Sequence, residues 1–408
     1  MNRKKNVVLA LVLVAVALVA ALLQSGKLDS VLGGKPTVWS ERADEAQGVL
    51  ADSFWDEKRK LFNNAAPCIA ELCTDPFNYW WYAHGIDTLT DAYVGTQDDR
   101  YAKMIYQQYE GVLENNADTF INGYYDDMEW MALAWLRAYD ATKVEKYLEA
   151  SKVLWADIQT GWTDEMGGGI AWRKEQMNYK NTPANAPAVI LAARMYAHTK
   201  DAADLEWAKK IYEWQKKTLV DPVTGLVWDG INRTGNGEID KGWKFTYGQG
   251  VYIGAGVELY RATGEASYLE DARRTAANLK ADFLSPATGM LPSEGEGDGG
   301  LFKGVLVRYV GELVKELKAG GKKLPELKAA DGKALSAAEQ AEELVQMLRV
   351  NAESLWGYGK AEDKALFSNS WAQTPDQVVQ LSTQLSGMML LEQMAAMEQA
   401  GWVKEKKE

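Results

Sequence analysis

Histidine and cysteine are scarce in this sequence. Among 408 residues only His84, His198, Cys68 and Cys73 represent them. A site built from nitrogen and sulfur ligands needs more residues of these types, and neither histidine has the partners of a nucleophilic triad. We therefore expect no metal and no organic cofactor. The two cysteines are close in sequence, and a local disulfide and two free thiols are both open alternatives.

Positive charge is also in deficit. Lys and Arg total 45 against 57 Asp and Glu, which gives a net charge of -12. A field of that sign repels phosphate backbones, so we expect no nucleic-acid partner.

Phenylalanine is rare among the aromatic residues. The chain has 8 Phe but 16 Trp and 19 Tyr, which combine a flat apolar face with a polar group. Sugar rings present apolar C–H faces between hydroxyls, so this bias favours sugar binding. The alternative is that a large helical core simply uses tryptophan.

The N-terminal segment differs from the rest of the chain. Arg3, Lys4 and Lys5 precede an apolar run from Val7 to Leu23, the order of charges and apolar residues found in export signals. The run also reaches the lower length limit of a membrane span. We predict a signal peptide or membrane anchor at 1–24, and an extracytoplasmic protein that is periplasmic, at the cell surface or secreted.

Glycine and proline in residues 25–38 predict a flexible tether, and the region 39–402 reads as one catalytic domain. Apolar residues recur there at spacings of three and four, which predicts α-helices. Twelve segments show this pattern: 39–58, 79–95, 98–116, 126–141, 144–160, 184–199, 202–219, 247–263, 266–283, 301–317, 335–354 and 374–399.

Short and long connections alternate between these segments. Six helical hairpins arranged in this way favour an all-α (α/α)6 toroid, in which the long connections converge on one face; a helical solenoid is the alternative. The stretch 318–334 is the exception, and we interpret it as a flexible surface insertion on the opposite face.

Asp126 and Asp127 lie where a long connection becomes a helix. Two carboxyl groups suit glycosidic cleavage, because one attacks the anomeric carbon while the other protonates the leaving oxygen. Adjacent residues easily reach the roughly 5–5.5 Å carboxyl separation of a retaining enzyme. Their close charges should couple their titrations, so that one is an anion while the other holds a proton. The alternative is that both acids merely cap the helix.

Several motifs resemble glycoside hydrolase family 76, in the order in which that family has them. They are Tyr124-Tyr125-Asp126-Asp127 through Trp130 to Ala134, Gly167-Gly168-Gly169-Ile170-Ala171-Trp172, Lys180-Asn181, Gly225-Leu226-Val227-Trp228-Asp229-Gly230 and Thr246-Tyr247-Gly248-Gln249-Gly250. The resemblance implies an (α/α)6 barrel and endo-α-1,6-mannanase activity, with transglycosidases among fungal relatives.

The resemblance also implies residue roles. Asp126 would be the nucleophile, Asp127 the acid/base, and Asp229 would hold sugar hydroxyls. The sequence departs from the family pattern where Met128 and Glu129 follow the acid pair, and where Gly248 replaces an asparagine.

Other side chains near predicted helix starts and in long connections are candidates for substrate binding. Each has a structural alternative, namely core packing for aromatic residues, capping for asparagine and a plain turn for glycine. The candidates are Trp80, Trp81, Asp87, Tyr125, Trp130, Gly168, Gly169, Trp172, Asn181, Asn185, Tyr247 and Gln249.

The prediction is a retaining endo-acting hydrolase of α-1,6-mannan that works through a covalent mannosyl-Asp126 intermediate. The alternatives are a transglycosidase, a hydrolase of another α-linked glycan, and a surface protein that binds glycan without cutting it. We expect a monomer whose partner is α-mannan or a related polysaccharide.

Overall fold

Helices account for most of the chain. The computed structural model describes residues 37–69, 73–320, 324–328 and 334–403. Within these ranges each of the twelve predicted segments is an α-helix. They are α1 Val38–Phe54, α2 Tyr79–Thr96, α3 Asp99–Asn115, α4 Tyr125–Thr142, α5 Glu145–Ile158, α6 Ala186–Thr199, α7 Ala202–Leu219, α8 Thr246–Thr263, α9 Ala266–Asp282, α10 Gly299–Gly320, α11 Ala337–Gly357 and α12 Leu381–Gln399.

The even-numbered helices form a closed inner ring. Each packs against the next, and α12 packs against α2, so the ring has no free end. Each odd-numbered helix packs on the outside, mainly against one inner helix. Closure distinguishes a toroid from a solenoid, and the predicted (α/α)6 fold is confirmed.

Burial follows this arrangement. The inner helix α12 is buried at nearly every position from Leu381 to Met397, as a helix surrounded by protein must be. The outer helix α3 buries a single stripe with spacings of three and four, which includes Tyr101, Ile105 and Val112. Apolar patterning therefore separates inner from outer helices.

Four inner helices end in the same turn. Each has Tyr-x-x-Thr followed by a residue in the left-handed conformation, whose amide donates to the tyrosine carbonyl. The threonine hydroxyl donates to a carbonyl one turn back and accepts the amide two residues further on. The left-handed residues are Gln97, Lys143, Lys200 and Gly264.

Six long connections, one before each inner helix, run from an outer helix to the N-terminus of an inner one, so they share one face. The long connection from α10 to α11 runs the other way and lies on the opposite face. We call the face shared by the six connections the loop face; its described parts are 55–69, 73–78, 116–124, 159–185, 220–245, 283–298 and 358–380. Six inner-helix N-termini, with their partial positive charge, point toward it.

Short strands connect parts of the loop face, although the apolar spacing predicts almost only helices. The largest sheet joins β4 Ala171–Arg173, β5 Gln176–Asn181 and β6 Gly230–Ile231 in antiparallel pairs. The other described strands of this face are β1 Trp55–Asp56, β2 Leu61–Phe62, β3 Ala65–Ala66 and β9 Val379–Gln380. Strands β7 Leu327–Lys328 and β8 Ala334–Leu335 lie in the connection between α10 and α11. The three-stranded sheet ties two long connections together.

Strand pairing explains the two largest differences between the predicted and the observed helix boundaries. Helix α1 stops at Phe54 rather than at 58 because β1 turns back onto β2. Helix α12 begins at Leu381 rather than at 374 because β9 pairs with β3.

The insertion predicted at 318–334 is partly regular. Its first residues continue α10, and β7 pairs with β8. Arg273 donates to the carbonyls of Pro325 and Leu335, which anchors this hairpin to α9.

The predicted N-terminal segment 1–24 lies outside the described residues, as does the tether 25–38 up to residue 36. Thr37 caps α1 through a capping box and Val38 already belongs to the helix. None of the helices in the described ranges has both the length and the apolar character needed to span a membrane.

Candidate active site

Asp126 and Asp127 occupy the first turn of the inner helix α4. The position preceding the helix is Tyr124, which has an extended backbone and makes no side-chain capping bond. The amide of Asp127 donates to Oδ1 of Asp126 at 2.9 Å. The two acids therefore follow the cap instead of forming it, and part of each side chain faces the loop-face cavity.

Asp126 has a specific donor. The indole Nε1 of Trp172 on β4 donates to its Oδ2 at 3.0 Å. Burial raises the pKa of Asp126 to about 7, and the bonds from the Asp127 amide and the Trp172 indole oppose that rise. These bonds favour the anion in a site that otherwise disfavours charge.

Asp127 lacks such support. Among the described residues, its one side-chain donor is the Asn122 amide nitrogen, which makes a long bond of 3.3 Å to Oδ2. Burial raises the pKa of Asp127 well above its usual range, and the nearby charges of Asp126 and Asp298 raise it further. The adjacent acids thus differ in proton affinity, with Asp127 holding its proton more strongly.

A cavity of about 520 Å³ opens above the two acids. Its walls come from the N-termini of inner helices and from the three-stranded sheet. The lining residues are Pro76, Phe77, Asn78, Tyr79, Trp80, Tyr124, Asp126, Asp127, Trp130, Trp172, Tyr179, Asn181, Pro183, Asp229, Arg233, Trp243, Phe245, Tyr247, Asp298 and Phe302.

Aromatic rings dominate these walls. Tyr247 and Phe302 stack with centroids 4.1 Å apart, and Trp80 approaches Phe302 and Trp130 at 6.3 Å. At the rim, Trp243 is 48% exposed. Flat rings with partly free faces suit the C–H faces of pyranose rings.

Asp229 forms a polar cluster on the same wall. It accepts from the hydroxyls of Tyr179 at 3.0 Å and Tyr247 at 3.2 Å, and from the Arg233 guanidinium. The guanidinium carbon of Arg233 lies 3.9 Å from the Trp243 ring centroid. Burial raises the pKa of Asp229, and Arg233 opposes that rise. The cluster gives the cavity fixed donors and acceptors.

Comparison of the chain with known protein families agrees with this geometry. The model of glycosyl hydrolase family 76 matches residues 38–406. The chain belongs to this family. The predicted resemblance to family 76 is thereby confirmed.

Two solved structures are similar to this family 76 chain over nearly their whole length. An inactive variant of the alpha-1,6-mannanase of Salegentibacter sp. HEL1_6, in complex with alpha-1,6-mannotetrose, is 39% identical, covers 88% of this chain and 99% of its own, and has a TM-score of 0.79. A protein of Listeria innocua is 39% identical, covers 89% of this chain and 99% of its own, and also has a TM-score of 0.79.

Curated relatives match over a shorter span. The mannan endo-1,6-alpha-mannosidase DCW1 of Candida glabrata is 26% identical over 279 residues, which are 60% of this chain and 61% of that protein. The family 76 chain spans about half to three fifths of the length of the curated relatives it matches.

Eight of the predicted site residues line the cavity. These are Asp126, Asp127, Trp80, Trp130, Trp172, Asn181, Asp229 and Tyr247. The sheet explains part of this convergence. Trp172 lies on β4, Asn181 ends β5, and Asp229 directly precedes β6, so pairing of the strands brings three distant segments together.

The structure corrects the expectation for Asn185 and Gln249. Both side chains are fully buried and bind loop backbone instead of lining the cavity. The Asn185 amide pairs with the backbone N–H and C=O of Ile170, and that of Gln249 pairs with those of Val227. These two amides hold loops in place at helix N-termini.

Gly168 and Gly169 also lie away from the cavity. Their φ angles are +129° and +88°, and a Cβ on either would come within 2.9 Å of Trp162 or Trp214. They let the backbone pass against those rings, so the predicted sugar contact is replaced by a packing role.

The other three predicted site residues that the structure places elsewhere are buried. Asp87 lies between Arg137, at 2.6 Å, and Arg308. The Tyr125 hydroxyl contacts Thr160 at 3.3 Å, and the Trp81 indole donates to Asp298 at 3.0 Å. None of the three lines the cavity.

Sequence reasoning missed Asp298, Arg233 and Trp243, all of which line the cavity. Arg233 and Trp243 lie in the connection between β6 and α8, and Asp298 directly precedes α10. For Asp298 the signal was an acid within the glycine-rich run Gly295 to Gly300. Of the two cysteine alternatives, the structure has the disulfide Cys68–Cys73.

Proposed function

We propose that this family 76 protein is a retaining, endo-acting glycosidase that cleaves α-1,6-mannan through a covalent mannosyl-Asp126 intermediate. One observation carries the proposal: two adjacent carboxyl groups of unlike proton affinity form the floor of a cavity walled by aromatic rings. Glycosidic cleavage uses such a pair, and adjacent residues easily reach the carboxyl separation of roughly 5–5.5 Å that favours retention.

The relatives support the substrate. The inactive Salegentibacter variant replaces two consecutively numbered aspartates by alanine and is bound to alpha-1,6-mannotetrose. Asp126 and Asp127 are such a consecutive pair in this chain. The Candida glabrata relative is named as a mannan endo-1,6-alpha-mannosidase.

Asp126 is suited to be the nucleophile. Its carboxylate forms a bond to the anomeric carbon as the glycosidic C–O bond breaks. The Trp172 indole, 3.0 Å from Oδ2, holds the carboxylate in place and favours its charged form.

Asp127 is suited to be the acid and then the base. It gives its proton to the leaving oxygen in the first step. In the second step its carboxylate takes a proton from water, the water oxygen bonds to the anomeric carbon, and the Asp126 ester bond breaks. The starting state requires Asp127 protonated beside an ionised Asp126, which is the order of their pKa values.

Chromatography of the products tests the proposal. The protein is incubated with unbranched α-1,6-mannan beside Asp126→Asn, Asp127→Asn and the control Asp140→Asn, an exposed acid at the other end of the same helix. A ladder of short oligosaccharides from wild type and control, absent from both site variants, is expected. An intact polymer with wild type contradicts the proposal, and longer products in the presence of acceptor sugars indicate transfer.

We further propose that the protein acts outside the cytoplasm. The basic residues and apolar run at its N-terminus support export, and the disulfide Cys68–Cys73 supports an oxidising compartment. Cell fractionation with N-terminal sequencing of the recovered protein tests this. Recovery of the unprocessed chain from the cytoplasm alone contradicts it.

A further inference from the structure

Asp298 lies on the cavity wall but has no place in the mechanism above. It immediately precedes the inner helix α10 and lines the same cavity as Asp126 and Asp127. Nothing in the two proton transfers requires a third acid, so its presence calls for a separate explanation.

The backbone around Asp298 is closely held. The amide of Gly297 donates to the side chain of Gln380 at 2.6 Å. A Cβ on Gly299 would come within 2.1 Å of the Glu294 carbonyl, and one on Gly300 within 2.6 Å of the Thr383 hydroxyl. Glu294 in turn accepts from the amide and hydroxyl of Thr246. The loop is thus fixed to two neighbouring helix N-termini, which places the Asp298 side chain.

The two carboxylate oxygens of Asp298 have different surroundings. Oδ1 accepts from the indole nitrogens of Trp80, at 2.8 Å, and Trp81, at 3.0 Å. Among the described residues, no protein group donates to Oδ2. The side chain is exposed on the cavity wall, so Oδ2 is open to a ligand.

The charges nearby are mostly of the same sign. Asp298 raises the pKa values of both Asp126 and Asp127 through its charge, and no described cation forms an ion pair with it. Arg233, which also lines the cavity, is already paired with Asp229. An unpaired carboxylate in such surroundings suits neutral hydroxyl donors and not an anionic group.

We propose that Asp298 is a substrate-binding residue whose Oδ2 accepts hydrogen bonds from sugar hydroxyls, while its Oδ1 fixes the Trp80 indole on which the same sugar ring packs. The ligand is a neutral hexopyranose unit of the glycan. This inference rests on the proposed function, since it concerns the sugar bound in that cavity.

Binding without turnover tests this most sharply. Calorimetry with alpha-1,6-mannotetrose is carried out on the Asp126→Asn/Asp127→Asn double variant, alone and with Asp298→Asn added. An asparagine oxygen still accepts from the indoles, but the free acceptor and its charge are lost. We expect the Kd to rise about ten- to a hundredfold, the effect of losing a hydrogen bond to a charged group.

The control is Glu296→Gln in the same double variant. Glu296 is exposed two residues away, and its bond from Gln380 is long, at 3.4 Å. We expect it to leave the Kd unchanged. Equal affinity with Asp298→Asn overturns the inference about Asp298, whereas no binding by the double variant itself counts against the proposed function. Circular dichroism and the unfolding midpoint of each variant separate lost contact from lost fold.

Discussion

The indole of Trp172 donates to Asp126 across 3.0 Å and so links a strand of the loop face to the first turn of an inner helix. The bond depends on β4 pairing with β5, because that pairing fixes where Trp172 lies. Chemistry at the helix N-terminus therefore depends on a loop sheet.

Replacing Trp172 by phenylalanine removes this donor and keeps an aromatic ring. Because a hydrogen bond to the anion lowers a carboxyl pKa, its loss raises the pKa of Asp126. We expect the acid limb of kcat/KM to move up by about one pH unit or more, and activity at pH near 6 to fall about tenfold. An unchanged limb would refute this role. Trp55→Phe, whose indole contacts exposed Glu57, is the control.

The pH profile itself follows from the two acids. Activity requires Asp126 ionised, so kcat/KM should rise with pH through about 7, the pKa of Asp126. It should fall only at higher pH, where Asp127 loses its proton, since the pKa of Asp127 is raised well above its usual range. Initial rates across this pH range test the assignment. An optimum well below neutral pH would contradict it.

Asp87 should matter for stability and not for binding. Its pKa is lowered by Arg137 and Arg308 against the effect of burial. Asp87→Asn removes one of the two carboxylates that pair with these cations, since Asp91 also pairs with both. We expect the free energy of unfolding to fall by about 2 kcal/mol, as for loss of a hydrogen bond to a charged group. The wild-type contribution is present above the ordinary aspartate pKa and is lost as pH falls below it, so the difference should shrink in acid. Urea unfolding measures both effects.

Substrate kinetics test the second part of this prediction, that Asp87 does not matter for binding. The KM of Asp87→Asn should match that of Asp140→Asn, which removes an exposed acid 51% accessible at its side chain. A higher KM for Asp87→Asn than for Asp140→Asn, with an unchanged free energy of unfolding, would indicate that Asp87 binds the substrate.

Gly230 allows Tyr179 to reach Asp229. A Cβ on Gly230 would lie 2.7 Å from the Tyr179 hydroxyl oxygen, so Gly230→Ala must displace that ring. We expect kcat/KM to fall about tenfold or more, as for loss of a positioned contact in an active site. Gly242→Ala, in the same connection with no atom near its Cβ, should be neutral. Equal kinetics for the two variants would show that the Tyr179 position is unimportant.

The sequence predicted the helices and their closure because both depend on patterns along the chain. Spacings of three and four located all twelve helices, and alternating connection lengths predicted which ends of the helices converge. The three-stranded sheet was missed because its longest strand, Gln176–Asn181, is short and lies in a connection without helical periodicity.

At the site, prediction from the sequence was limited mainly because it does not show which way a side chain points. Asn181 lines the cavity while Asn185, one turn on, binds the backbone of Ile170. Both are amides near the same helix start, and an amide suits a sugar hydroxyl and a peptide group equally well. Asp298 was missed for a related reason, since its partners Trp80 and Trp81 are distant in sequence.

The most direct test of the central claim is azide rescue of glycine variants of the two acids on an activated aryl α-mannobioside. The account predicts that Asp127→Gly with azide gives the α-mannosyl azide, because Asp126 still forms the intermediate. It also predicts that Asp126→Gly gives the β-mannosyl azide by a single displacement. Proton NMR distinguishes the anomers. The opposite pairing of variant and anomer, or one anomer from both variants, would contradict the assignment of Asp126 as nucleophile.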